Sequence, residues 1–197
     1  MKTEELIRGV RDGIPICLGY FSVSAAYGMT AVLSGLPLSA AVIISLTNLT
    51  SAGQFAGTNL ILAGGTYMEL IMSMFIINIR YFLMSLSMSQ KVEEKMTWPQ
   101  RLAVSFGITD EIFAVSMQHQ GPLSASYLAG LILGPVIGWT GGTLAGGALT
   151  RLLPQSVSNA LGIALYGMFI AVVVPAARKN RAILFTAVFA AVLSAVC

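Results

Sequence analysis

Three ionised side chains stand inside long apolar runs of this chain: Arg80, Asp110 and Glu111. Arg80 is about ten residues, roughly 15 Å of helix, from the end of its run, and the two acids sit near the middle of theirs. An Arg or Asp at the centre of a membrane helix costs about 2.5–3.5 kcal/mol on insertion scales, so it is turned toward protein or a water-filled cavity. The chemistry on offer is ionic. Arg80 paired with Asp110 or Glu111 would lock helices together and leave one acid over. A spare acid at that depth is fit to carry a proton or to meet an ammonium group.

Polar residues cluster in two more places. Thr47, Thr50, Ser51, Gln54 and Thr58 recur at i, i+3, i+4, i+7 and i+11, one stripe if the segment is a single helix. Such a stripe is either glue between packed helices or the wall of a substrate path. Gly53 and Gly57 lie within it, and glycine permits a kink or an unwound turn. A break there would free backbone N–H groups at a new helix N-terminus, a seat for a carboxylate. Backbone opened at that depth is tolerated only inside protein or beside water. Asn78 begins a second stripe with Tyr81, Ser85 and Ser89; two residues from Arg80, it points the other way. The candidate binding set is Ser51, Gly53, Gln54, Asn78, Arg80, Asp110 and Glu111, with Phe55, Ile76 and Phe113 as apolar neighbours for an aliphatic group. Glu69 reads as an interfacial acid, His119 as a solvated loop histidine, and Trp98 as an interfacial anchor. Trp139 is either a second anchor or part of the site.

These residues must be held by membrane helices. Of 197 residues 56% are hydrophobic and 10% charged, and the mean hydropathy is +0.81. A soluble domain averages about 25% charged, so both a soluble fold and disorder are excluded. The expected class is all-α: a polytopic transmembrane helical bundle forming one membrane domain, residues 1–197. Apolar runs long enough to cross about 30 Å of hydrocarbon fall at 14–34, 38–63, 66–89, 102–119, 123–150, 156–177 and 182–197. The last is short, which fits either a truncated chain or an end seated against a partner. A net charge of +3, scattered along the chain, gives no footprint for nucleic acid.

An ungapped self-match at 85 positions sets Pro37-Leu38-Ser39-Ala40 on Pro122-Leu123-Ser124-Ala125, Gly53 on Gly138, Gly57 on Gly142 and Gln54 on Trp139. The match is either ordinary membrane-helix composition or two three-helix units, 14–89 and 102–177. An odd number of spans per unit makes the second copy inverted, an arrangement common in secondary transporters with the site at the interface. Gly-broken helices are then expected at 51–57 and 138–142. With a cytoplasmic N-terminus and every run crossing, basic residues divide six inside (Lys2, Arg8, Arg11, Arg178, Lys179, Arg181) against four outside (Lys91, Lys95, Arg101, Arg151). If one Gly-broken segment re-enters instead of crossing, the 91–101 cluster moves inside.

No enzymatic constellation is present: no Cys/His metal spacing, no Gly-Lys phosphate loop and no Gly-x-Ser-x-Gly elbow. An intramembrane hydrolase built on Asp110 lacks a second catalytic partner. Neither catalysis, cofactor nor metal is expected.

In its Ser51-Ala52-Gly53-Gln54-Phe55-Ala56, Asn78-Ile79-Arg80-Tyr81 and Thr109-Asp110-Glu111-Ile112-Phe113 segments, the chain resembles the AzlC family of branched-chain amino acid exporters. The likeness covers about 14–115 well and is looser through 123–181. Tyr81 stands where members usually carry His. The resemblance implies export of small apolar amino acids across a bacterial cytoplasmic (inner) membrane, coupled to the proton gradient. It also implies pairing with a small AzlD-type membrane subunit. The alternative from another class is a non-transporting scaffold or assembly subunit.

Overall fold

A computed structural model describes Lys2–Thr150 and four further helical residues, Phe185, Val188, Phe189 and Val192. The expected spans 156–177 and 182–197, apart from those four residues, lie outside the described residues, as do Arg151 and the 178–181 cluster. The described chain is all-helical: α1 Lys2–Leu33, α2 Leu38–Thr47, α3 Ser51–Leu62, α4 Tyr67–Ser89, α5 Trp98–Ser105, α6 Asp110–Gln118 and α7 Ala125–Leu149. Among the described residues three helices are long and apolar enough to cross a membrane: α1, α4 and α7.

Two runs expected to cross, 38–63 and 102–119, do not. Each is a pair of short helices. α2 has 10 residues, about 15 Å, or half a bilayer core. Its continuation stops where Asn48 and Thr50 become extended (φ −146° and −97°) and the Thr50 side chain accepts from the Gly53 N–H to start α3. In the second pair Thr109 is extended (φ −129°) and its side chain accepts from the Ile112 N–H to start α6. Each second helix thus starts at an N-capping threonine, which offers an acceptor that helix continuation does not need; the first break holds no glycine, and the second includes Gly107 in its turn.

Neighbour contacts give the direction of each piece. A Cβ on Gly53 would meet Asn78 at the middle of α4, and one on Gly57 would meet Leu70 and Met74 near its start. α3 is therefore antiparallel to α4 and ends where α4 begins, across the turn 63–66. α2 starts beside the end of α1, where Leu36 and Ala41 pack on Tyr27 and Ala31. So α2–α3 is a hairpin that enters from the end where α1 leaves and returns to it. Both turns at that end close through glycines with positive φ, Gly35 (96°) and Gly64 (72°). In each, the next N–H bonds back to a carbonyl five residues earlier, Leu36 to Ala31 and Gly65 to Leu60.

The second hairpin enters from the opposite end. After α4, Lys91 Nζ donates to the carbonyl oxygens of Ser116 (3.1 Å), Met117 (2.7 Å) and His119 (2.6 Å), the orphan acceptors at the end of α6. Val92 and Leu123 form a parallel bridge beside it. Hence α4 and α6 finish at the same end, where α5 and α7 begin. Lys91→Met removes both the donors and the cation at that helix terminus, worth about 1–2 kcal/mol. Hydrogen exchange in 110–118 is expected to speed up several-fold while α1 and α7 keep their protection.

This topology resolves the charge conflict. The N-terminal end now holds Lys2, Arg8, Arg11, Lys91, Lys95 and Arg101, and the turns 34–37 and 63–66 at the other end hold no charged residue. That is the distribution the positive-inside rule requires of a chain with a cytoplasmic N-terminus. Trp98, exposed at the start of α5, sits at this end as an interfacial anchor should.

α1 and α7 run parallel and make the most extensive contact of the fold. Gly130, Gly134, Gly138, Gly142 and Gly146 recur every fourth residue of α7. A Cβ would overlap the Leu6 carbonyl oxygen at Gly130, the Phe21 carbonyl oxygen at Gly142 and the Ala25 carbonyl oxygen at Gly146. Backbone meets backbone, the small-residue mode of membrane helix packing. Gly138 and Gly142 thus serve packing, and α7 is unbroken there, contrary to expectation. The 85-residue register sets a hairpin against this unbroken helix, although its pair Gln54 and Trp139 do touch.

Candidate functional site

The second helix of each hairpin begins deep in the bundle, α3 at Ser51 and α6 at Asp110. Both tips converge on the middle of α4. Asn78 faces the α3 tip across Gly53, and Arg80, on the other face, meets the α6 tip: its Nη2 lies 2.9 Å from Asp110 Oδ2. The guanidinium also lies over the Tyr81 ring, 5.2 Å from its centroid. The two side chains of the ion pair are 42% and 35% exposed, so they border open space rather than being sealed in the core. Buried atoms without a hydrogen-bond partner include Asn78 Oδ1 and Arg80 Nε, leaving an acceptor and a donor unused at the centre of α4.

The acid left over is not free. The Tyr20 hydroxyl on α1 bonds to Glu111 and also reaches Thr109 Oγ1 at 2.7 Å. Tyr20 packs edge-on against Trp139, with ring centroids 5.1 Å apart. The indole N–H of Trp139 donates to Gln54 Oε1 at 2.9 Å. Gln54 in turn donates to Ser45, whose hydroxyl pairs with Thr143 at 2.7 Å. A buried polar chain therefore ties the α6 tip through α1 and α7 to both arms of the other hairpin.

The structure sorts the expected residues. It brings Gly53 to Asn78 and Arg80 to Asp110, and sets Glu111 against Tyr20. Ser51 is half-buried in the first turn of α3. Gln54 is 1% exposed with its amide engaged on both sides, which makes it part of the packing. The Gly53 N–H is taken by Thr50, so N–H groups free at that tip belong to the first helical residues, Ser51 and Ala52. The stripe expected over 47–58 is not one helix face, since Thr47 lies before the break and is exposed. Phe55 packs edge-on against Tyr27, and Ile76 is exposed on α4. His119, expected in solvent, is half-buried with its ring 4.1 Å from that of Tyr127.

Sequence reasoning missed Tyr20 and Thr109 as site residues, and placed Thr50 in a polar stripe rather than at a helix cap. A threonine just before Asp110-Glu111 is an N-cap signature, and the five-glycine ladder was visible at its spacing of four. Tyr20 gave no local signal. A cleft of about 1130 Å³ opens at the N-terminal end among Glu5, Lys91, Glu93, Glu94 and Ser124, and includes none of the candidate binding residues. Among the described residues no cluster could hold a metal ion.

Three crossing helices and two opposed hairpins, with an ion pair where the second hairpin's tip meets the middle of α4, define a polytopic membrane protein. The chain belongs to the AzlC family: the family model described as AzlC protein matches residues 15–153. It is 30% identical to an uncharacterized membrane protein of Archaeoglobus fulgidus, over 85% of this chain and 74% of the relative. It is 23% identical to the inner membrane protein YgaZ of Escherichia coli K12, over 96% and 80%. No solved structure matches. The family is associated with membrane transport rather than catalysis, and a transport-related role is the one these relatives support.

Proposed function

We propose that this chain is the large subunit of an exporter for branched-chain or other small apolar amino acids, coupled to the proton gradient of a bacterial cytoplasmic membrane and working with a small AzlD-type membrane subunit. The observation that carries this reading is the part-exposed Arg80–Asp110 pair where the tip of the second hairpin reaches the middle of α4. A zwitterion is the complement of an ion pair. An amino acid entering between them gives its carboxylate to Arg80, whose Nε is unused, and its ammonium to Asp110. On the opposite face of α4, Asn78 Oδ1 and the first N–H groups of α3 offer an acceptor and donors at the other hairpin tip. Ser51 and Gly53 shape the tip, and Gln54 holds it in place.

Alternating access follows a different division from the proposed units 14–89 and 102–177. Rocking one unit against the other would tear the α1–α7 glycine contact. The hairpins enter from opposite ends and have less packing to lose, so α2–α3 opens the site to one side and α5–α6 to the other. The test is transport of labelled valine into inside-out membrane vesicles from cells with and without this chain and its partner subunit, together with growth on a toxic valine analogue. Gradient-dependent uptake and resistance are expected. An assembled complex with neither would leave the scaffold role.

A further inference from the structure

The Tyr20 hydroxyl has one proton and two oxygen neighbours, Thr109 Oγ1 at 2.7 Å and Glu111 Oε2. Two hydrogen-bond patterns satisfy the three groups. With Glu111 ionised, Thr109 donates to Tyr20 and Tyr20 donates to the carboxylate. With Glu111 protonated, its hydroxyl donates to Tyr20 and Tyr20 donates to Thr109. The patterns differ by one proton and two hydroxyl rotations, and no heavy atom has to move. Few half-buried carboxyl groups are served equally in both states, since losing a partner in one of them costs about 1–3 kcal/mol.

Asp110 differs, because protonating it breaks its ion pair with Arg80 instead of exchanging one hydrogen-bond pattern for another. The charged and titratable groups around Glu111 are Tyr20 from α1, Arg80 and Tyr81 from α4, and Asp110 from its own helix; α7 contributes the non-titrating Trp139.

We propose that Glu111, Tyr20 and Thr109 form the proton site of this chain, separate from the Arg80–Asp110 pair. Tyr20 is its positioning residue. A proton from water on the side of higher proton activity binds a Glu111 carboxylate oxygen and leaves to the other side; no other bond forms or breaks. Tyr20 also packs against Trp139, which donates to Gln54 in the first turn of α3, so the proton site abuts the packing that holds the other hairpin tip. The proposal deepens the exporter reading by naming where the coupling proton resides, and rests on it for that role.

The experiment is an infrared pH titration of the purified full chain in lipid vesicles, following the C=O band of protonated carboxyl groups. Glu111→Gln is expected to delete one titrating carboxyl, Asp110→Asn to leave that carboxyl in place, and Tyr20→Phe to move its midpoint by about one pH unit. A band unchanged in Glu111→Gln, or a midpoint unchanged in Tyr20→Phe, overturns the proposal. If Glu111→Gln does not fold, the Tyr20→Phe titration decides. Labelled valine flux in vesicles that also hold the small partner subunit should rise with the imposed pH gradient in wild type and stay flat in Glu111→Gln. No flux in wild type would overturn the exporter reading, while the titration still judges the site.

Discussion

Asp110→Asn is expected to lower valine export by about thirtyfold or more at unchanged yield of folded protein. The substitution removes the partner for the substrate ammonium and leaves Arg80 without its counter-ion. Truncating one member of a buried charge pair costs about 2–5 kcal/mol, and the pair's exposure, 42% and 35%, puts the effect near the lower limit. About 2 kcal/mol is roughly thirtyfold in affinity or rate. The same exposure predicts a small effect on melting temperature, because screened ion pairs add little stability. Arg80→Lys keeps the charge but loses the planar fork, and should fall between wild type and Asp110→Asn. Flux is measured against the amount of folded protein in the membrane. Normal export by Asp110→Asn would remove this pair from substrate binding.

Gly142→Leu is expected to abolish folded protein. A Cβ there would overlap Ser24 Oγ and the Phe21 carbonyl oxygen, and the backbone of α1 cannot rotate away as a side chain can. Overpacking a core costs about 1–3 kcal/mol when side chains absorb it, and more when backbone must move. The control is the adjacent glycine. A Cβ on Gly141 meets nothing within 4 Å, so Gly141→Ala should be neutral, or stabilising by about 0.5–1 kcal/mol from helix propensity. Yield of monodisperse protein and its melting temperature distinguish the two. Equal behaviour of the variants would show that the α1–α7 contact is looser than its geometry states.

The legible part of the site was the set of residues that hydrocarbon makes expensive. Arg80 and Asp110 stood out because nothing but a partner or a cavity accounts for a charge at that depth, and they are found paired. Gln54 stood out for the same reason, yet its partners are Trp139 and Ser45; polarity alone does not distinguish helix glue from a binding wall. The glycines misled in the opposite way. Those at 138–142 read as a break, yet the helix is continuous there and Gly138 and Gly142 lie on its close-packed face. Glycine relieves both backbone strain and steric bulk, and only a neighbour reveals which is in use.

The sequence by itself determined that this is a helical membrane protein, where its loop charges lie, that acids and an arginine are immersed, and which family it belongs to. These follow from composition and local pattern, because transfer free energy depends on the residues themselves. Only the tertiary structure decided that 38–63 and 102–119 turn back instead of crossing, that Arg80 takes Asp110 rather than Glu111, and that Tyr20 takes Glu111 and Thr109 at the α6 tip. A hairpin and a span are equally apolar; they differ in where the chain returns, which is set by contacts between residues far apart in sequence.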